Sequence, residues 1–183
     1  MRKLTAGLFH TVDGAVENPP LWQFDAFDAE LGASLAKTLA VTDTVILGRL
    51  GYEEWAEFWP NAGFDDDFKT FINAVPKLVA SRTLKGPLAW NNSKLIEGEL
   101  LEFVRNLKQQ PGGEIAVMAS ISMVRQLFFA GLMDELSLIT HPVVAGGNER
   151  HIFQPGDPLT RLVLKSSSQT SQGNIIATYG LRA

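Results

Sequence analysis

Thr44-Val45-Ile46-Leu47-Gly48-Arg49 is the stretch whose reading decides the fold. Its apolar and β-branched residues run without a polar break, and a glycine and an arginine close the run. A strand buried on both faces reads this way, because it has no solvent face to mark by alternation. Gly51 to Phe58 then reads as a helix, with Pro60 as its stop. A buried strand opening directly into a helix is half of a parallel crossover unit.

The same unit recurs on either side. Upstream, Lys3 to Val12 reads as a strand ending at the turn Asp13-Gly14. A loop through Asn18-Pro19-Pro20 follows. Leu31, Leu35 and Leu39 then recur every four residues, which predicts a helix from Asp28 to about Ala40. Downstream, Asp65-Asp66-Asp67 precedes a short helix ended by Pro76, since acidic residues suit a helix N-terminus. Lys77 to Ala80 is a strand stopping at Ser81-Arg82-Thr83, and Ala89-Trp90-Asn91 reads as a brief one. Glu99 to Lys108 is a helix, Glu114 to Ala119 a strand, and Ser120 the cap of a helix carrying Ile121, Val124, Leu127 and Phe128. Glu135 to His141 is a strand. Leu162 to Gln169 and Ile175 to Leu181 form a closing hairpin around Ser171-Gln172-Gly173.

Strands alternating with helices predict one α/β domain over residues 1–183. A mostly parallel central sheet has helices on both faces and an antiparallel C-terminal hairpin, in three layers. Composition agrees: apolar residues are 45% and charged residues 20% of 183, a globular mixture. A net charge of −4 argues against nucleic acid as a partner. The absence of cysteine removes disulfide scaffolds, thiol nucleophiles and thiolate metal sites. No stretch approaches the roughly 20 apolar residues of a membrane span, so the cytoplasm is the expected location. The three histidines, His10, His141 and His151, show no metal-ligand spacing and read as structural or surface residues.

Ligands of such sheets bind where strands give way to helix N-termini. Gly48-Arg49 stands at such a place: it is either a tight turn with a guanidinium forked onto phosphate, or an ordinary turn with a solvated arginine. Ser81-Arg82-Thr83 offers two hydroxyls and another guanidinium, or a local cap. Ala119-Ser120-Ile121-Ser122 turns a strand into a helix whose first N–H groups suit a pyrophosphate, or is a plain cap. Asp25 and Asp28 read equally as helix-start residues and as carboxylates beside a substrate ring. Asp13-Gly14 is a turn with the same alternative.

Taken together in order and spacing, these segments resemble the dihydrofolate-reductase-like superfamily. Within it they are similar to the reductase domain of bifunctional riboflavin-biosynthesis deaminase/reductases, over nearly the whole chain. Thr11-Val12-Asp13-Gly14 resembles the family's first loop, and Gly48-Arg49-Leu50-Gly51-Tyr52-Glu53 its Gly-Arg-x-Thr-x-Glu motif. Ser81-Arg82-Thr83-Leu84 resembles Ser-Arg-Thr-Leu. Gly131 to Leu136 and Pro142 to Gly147 resemble Gly-Leu-Val-Asp-Glu-Leu and Pro-Val-x-x-Gly-Gly.

The resemblance implies NADPH as cofactor. Arg49 and the Ser81-Arg82 pair would hold the adenosine 2′-phosphate, with Gly48 and Thr83 beside them in the cofactor site. Ala119, Ser120, Ile121 and Ser122 would hold the pyrophosphate. Ala6 and Gly7, with Asp13 and Gly14, would border nicotinamide and substrate. It also implies a reductase of a small heterocyclic or carbonyl/imine compound, like 5-amino-6-(5-phosphoribosylamino)uracil reductase, with Asp28 or Asp25 supplying or relaying the proton. Two residues depart from the motifs. Gly51 replaces a threonine hydroxyl, and Ala119 stands where glycine lets backbone approach the pyrophosphate, so its methyl is expected to crowd the cofactor. These departures support the alternative of a non-catalytic dimeric ligand-binding or interaction protein; dihydrofolate reductase is a third reading. A homodimer is expected through the open edge of the terminal hairpin.

Overall fold

The computed structural model describes residues 1–147 and 150–182. β1 (Leu4–Thr11) leads through a one-turn 3-10 segment (Pro19–Leu21) to α1 (Ala29–Val41) and β2 (Thr42–Gly48). Then come α2 (Arg49–Asn61), α3 (Asp67–Ala74), β3 (Lys77–Ala80) and β4 (Ser93–Leu95). The rest are α4 (Leu100–Gln109), β5 (Glu114–Met118), α5 (Ile121–Phe129), β6 (Glu135–His141), β7 (Leu162–Gln169) and β8 (Ile175–Leu181). They form one eight-stranded sheet in the order β4-β3-β2-β5-β1-β6-β8-β7. Pairing is parallel from β4 through to β6, and β8 runs antiparallel to both neighbours.

β2 shows why there are three layers. Val45 and Leu47 pack with Tyr52 of α2, Ile72 of α3, Val79 and Trp90. Ile46, between them, packs with Val104 and Leu107 of α4 and with Val124 and Leu127 of α5. Successive side chains of a strand point to opposite faces, so one buried strand feeds two cores. All of these strand residues are fully buried. At the base of β3, Lys77 is buried and donates to the carbonyls of Ile72 and Val75 at 2.8 and 2.9 Å, closing the C-terminal end of α3. Burial pushes its ammonium down to about 8.

Three local expectations are corrected. Ala89-Trp90-Asn91 is not a strand; the pairing falls on Ser93–Leu95, while Trp90 is drawn into the core and donates its indole N–H to Asn73 at 2.8 Å. Pro60 does not stop α2 but sits in its last turn, where its missing N–H costs a single bond. Ser120 occupies the N-cap position of α5, but its hydroxyl makes no capping bond. β7 forms the sheet's edge, with Val163 and Leu164 exposed. Among the described residues, no helix is long and apolar enough to cross a membrane.

Candidate functional site

Strand register builds a ledge into the sheet. β1 pairs β5 only as far as Ala6, opposite Val117, whereas β6 accompanies β1 up to Thr11, opposite His141. β2 ends level with β5, Leu47 lying opposite Met118. At about 3.3 Å per residue, β1 and β6 therefore stand on the order of 15 Å above the ends of β2 and β5. Ala6 is buried below this level, while Gly7, at the foot of the ledge, is exposed. The ledge divides the rim into a lower and an upper half.

The lower half gathers three predicted segments. β3, β2 and β5 are neighbours, so Ser81, Gly48 and Ala119 follow adjacent strand ends, spread over about 10 Å. Gly48 lies close to the α5 N-terminus: a Cβ on it would lie 2.6 Å from the Ser120 hydroxyl oxygen, which would have to turn away. Among the described residues, α2, α4 and α5 have no side-chain cap at their N-termini, whereas α1 and α3 are capped by Asp28 and Asp66. The Ser120 and Ser122 hydroxyls lie 3.5 Å apart beside the α5 N-terminus. Arg49 is half-exposed and donates to Glu53 one turn on, at 2.7 Å. Arg82 and Thr83 are exposed, and Ser81 accepts from the backbone N–H of Thr83 and Leu84 at 3.2 and 2.9 Å, which shapes the turn.

The two motif departures meet here. Ala119 holds φ +48, the left-handed conformation that glycine adopts at no steric cost. A Cβ on Gly51 would lie 2.6 Å from the Ala119 Cβ and 2.2 Å from its carbonyl oxygen. The methyl expected to crowd a cofactor is therefore tucked against α2, in space that only glycine at 51 leaves open. The Ala119 carbonyl oxygen would meet a Cβ at 51 whatever side chain stood at 119.

The upper half is internally bonded. Asp13 accepts from the Thr11 hydroxyl at 2.5 Å and from the N–H groups of Ala145 and Gly146 at 3.1 and 3.0 Å. The Thr11 hydroxyl above all, then the two amides, hold its carboxyl down to about 2. Gly14 turns beside it at φ +88, where a side chain would be strained, and a Cβ there would lie 3.2 Å from the His151 ring. Asp28 accepts from the N–H of Leu31 at 2.8 Å and of Gln172 at 3.1 Å. Burial opposes its charge, but bonds from Thr170, Leu31, Gln172 and Asn174 outweigh it and keep the carboxyl below the ordinary range. Asp25 is exposed and lines a cleft of about 180 Å³ with Trp22, Gln23, Phe24, His141 and Gln172.

Sequence reasoning passed over the cleft's floor. His141 ends β6, fully buried between the rings of Phe9 and Trp22, each 5.5 Å away. Its Nε2 is 3.3 Å from the Gln23 amide nitrogen, and among the described residues no group lies within hydrogen-bonding geometry of its Nδ1. Asn174, also buried, donates to the Ala26 carbonyl and the Thr170 hydroxyl, and its Oδ1 is unpartnered. Burial lowers the histidine's proton affinity, with His10 adding to that and Asn174 and Asp28 opposing it. A lone histidine before proline carries no spacing signal, so only the fold reveals it.

Among the described residues, no cluster of His, Cys, Asp or Glu fits a metal ion. The lower half of the rim carries guanidinium, hydroxyl and amide donors, and the upper half is lined by aromatic and carboxamide groups.

The family model of the RibD C-terminal domain matches residues 2–176. The chain belongs to that family. A relative in Bacillus subtilis (strain 168), the uncharacterized protein YyaP, is 29% identical over 150 residues, spanning 79% of this chain and 77% of its own. Among solved structures, a putative riboflavin biosynthesis protein from Shewanella sp. PV-4 superposes with a TM-score of 0.71 at 15% identity, covering 99% of both chains. The deaminase/5-amino-6-(5-phosphoribosylamino)uracil reductase of Thermotoga maritima gives 0.69 at 10% identity, over 99% of this chain and 57% of that one. Dihydrofolate reductase from Enterococcus faecalis, complexed with NADP(H), gives 0.63 at 11% identity, covering 99% and 97%. At these identities the structures establish a shared fold: a RibD-type, dihydrofolate-reductase-like α/β domain, as the motifs implied.

Proposed function

We propose that this chain is a reductase that takes NADPH as hydride donor for a small heterocyclic or carbonyl/imine substrate, in the manner of 5-amino-6-(5-phosphoribosylamino)uracil reductases. The observation that carries this is the lower rim. Three adjacent strand ends present guanidinium groups, hydroxyls and two helix N-termini without side-chain caps. Such groups recognise phosphate by charge-assisted bonds and by the helix dipole. Arg49 and Arg82, with Ser81 and Thr83, would hold the 2′-phosphate, and the amides from Ala119 to Ser122 the pyrophosphate. Arg49 would exchange its exposed pair with Glu53 for the phosphate, a cheap exchange because surface ion pairs contribute little.

When bound, NADPH supplies the hydride. The chain orients donor and acceptor: Gly7, at the foot of the ledge, lets a flat ring lie close to β1, and the Asp13-Gly14 turn walls it from above. Asp13 and Asp28 are committed to backbone amides, so Asp25, exposed in the cleft, is the carboxylate placed to pass a proton. The test is titration of NADPH and NADH into the purified chain. The expected result is tighter binding of NADPH, with the preference lost in an Arg49→Ala, Arg82→Ala double variant. No binding of either nucleotide at millimolar concentration would overturn the reading.

A further inference from the structure

Residues 81–92 join β3 to β4 with no helix or strand of their own, and they carry Arg82. The near end of this loop is shaped by Ser81, whose Oγ accepts from the N–H groups of Thr83 and Leu84. The far end is set by Trp90, buried in the core that β2, α2 and α3 share. Three side chains hold Trp90 there. The Tyr52 hydroxyl of α2 accepts from its backbone N–H at 3.2 Å, and Asn73 of α3 accepts from its indole N–H at 2.8 Å. The Lys77 ammonium of β3 lies 4.5 Å from the centre of its ring. Leu84 and Leu88, between the two ends, pack against the same core. A loop anchored at both ends and along its length leaves the backbone of Arg82 few alternative positions.

We propose that Tyr52 is a positioning residue that sets the spacing of Arg49 and Arg82, and through it the preference for NADPH over NADH. This rests on the reductase reading, since it takes the two guanidinium groups to meet on the 2′-phosphate. Tyr52 lies three residues after Arg49, so both belong to the first turn of α2. Its hydroxyl bonds that turn to the loop carrying Arg82. Without the hydroxyl, the Trp90 amide N–H is buried with no acceptor, a cost the loop relieves by moving toward water. Arg82 moves with the loop, while Arg49 stays with α2. A displaced guanidinium loses the forked geometry on which phosphate recognition depends.

The ring and the hydroxyl of Tyr52 have separate roles. The ring fills the core beside Trp90, with centroids 6.2 Å apart, and phenylalanine fills that space as well. The hydroxyl alone reaches the loop, so Tyr52→Phe removes the link and keeps the packing. Ile72→Val is the control. Ile72 is fully buried in the same core, and trimming it lowers stability without touching a hydrogen bond of the loop.

The experiment is titration of NADPH and NADH into the unaltered chain and both variants, with melting curves and amide exchange alongside. In Tyr52→Phe, NADPH affinity should fall about fivefold or more while NADH affinity hardly changes. Ile72→Val should lower Tm and leave the preference intact. In the nucleotide-free chain, protection of the Trp90 amide should be lost in Tyr52→Phe and kept in Ile72→Val. If Tyr52→Phe does not fold, Asn73→Ala, which frees the Trp90 indole, should lower the preference in its place. An unchanged preference in the variant that is read, an equal fall for both nucleotides, or the same drop in Ile72→Val overturns the proposal. If the unaltered chain binds neither nucleotide, the reductase reading falls and this proposal with it. A preference for NADPH that survives Tyr52→Phe removes the proposal and leaves that reading standing.

Discussion

The two halves of the rim are made from the same kind of element, a parallel strand giving way to a loop, yet they treat polar groups in opposite ways. Above the ledge, carboxylates are consumed: Asp13 staples the 145–146 turn and Asp28 caps α1 while holding the hairpin turn at Gln172. Below it, α2 and α5 begin with no side chain on their first N–H groups, and Arg82 stands exposed. Bare first-turn N–H groups are open to water or to a ligand, and α4 begins in the same way. The proposed occupant is a nucleotide bearing phosphates, such as the NADP(H) with which the dihydrofolate reductase of Enterococcus faecalis was solved.

The sharpest way to break this contrast is through the seam between α2 and the β5–α5 turn. Gly51→Thr would drive a side chain into the Ala119 carbonyl. A loss of about 3 kcal/mol is expected, which for a domain of this size lowers Tm by about 10 °C. An unchanged melting curve would show that the close approach is not obligatory. Next in size is the Arg49→Ala, Arg82→Ala pair. NADPH affinity should fall about 100-fold while NADH affinity hardly changes, because each guanidinium–phosphate bond contributes about 1.5–3 kcal/mol. Equal losses for both nucleotides would place the arginines elsewhere than at the 2′-phosphate.

In the upper half, Asp28→Ala removes a cap and a link to the hairpin, and should cost about 1–2 kcal/mol in urea unfolding. The Asp13 carboxyl is depressed from 3.8 to about 2 on folding. Its contribution is therefore complete above pH 3.8 and is lost as the pH falls toward 2. Asp13→Asn should flatten that acid limb of the urea midpoint, and an unaltered limb would mean the staple is absent in solution. The smallest effect is that of Ala119→Gly. Relief of left-handed strain slightly exceeds the added chain entropy, for a gain of about 0.5 kcal/mol. In solution, a mass measurement tests the proposed homodimer through the exposed edge of β7.

Much of this was legible in the residues. Glu135–His141, Leu162–Gln169 and Ile175–Leu181 were bounded correctly, because apolar runs between turn residues carry the strand signal directly. Capping signals held for Asp28, where a carboxylate had an amide within reach. They failed for Ser120, whose hydroxyl lies against Gly48 instead. β4 was misplaced by four residues because Trp90, a large aromatic residue, is packed into the core and not into the sheet.

The sequence by itself determined the order of strands and helices, the three-layer architecture and the motif positions, since periodicity and turn chemistry act over a few neighbouring residues. Tertiary structure alone decided the ledge, the nesting of Ala119 against Gly51 and the burial of His141 behind Gln23. Each depends on register or contact between segments dozens of residues apart, and no local pattern encodes how far one strand outruns its neighbour.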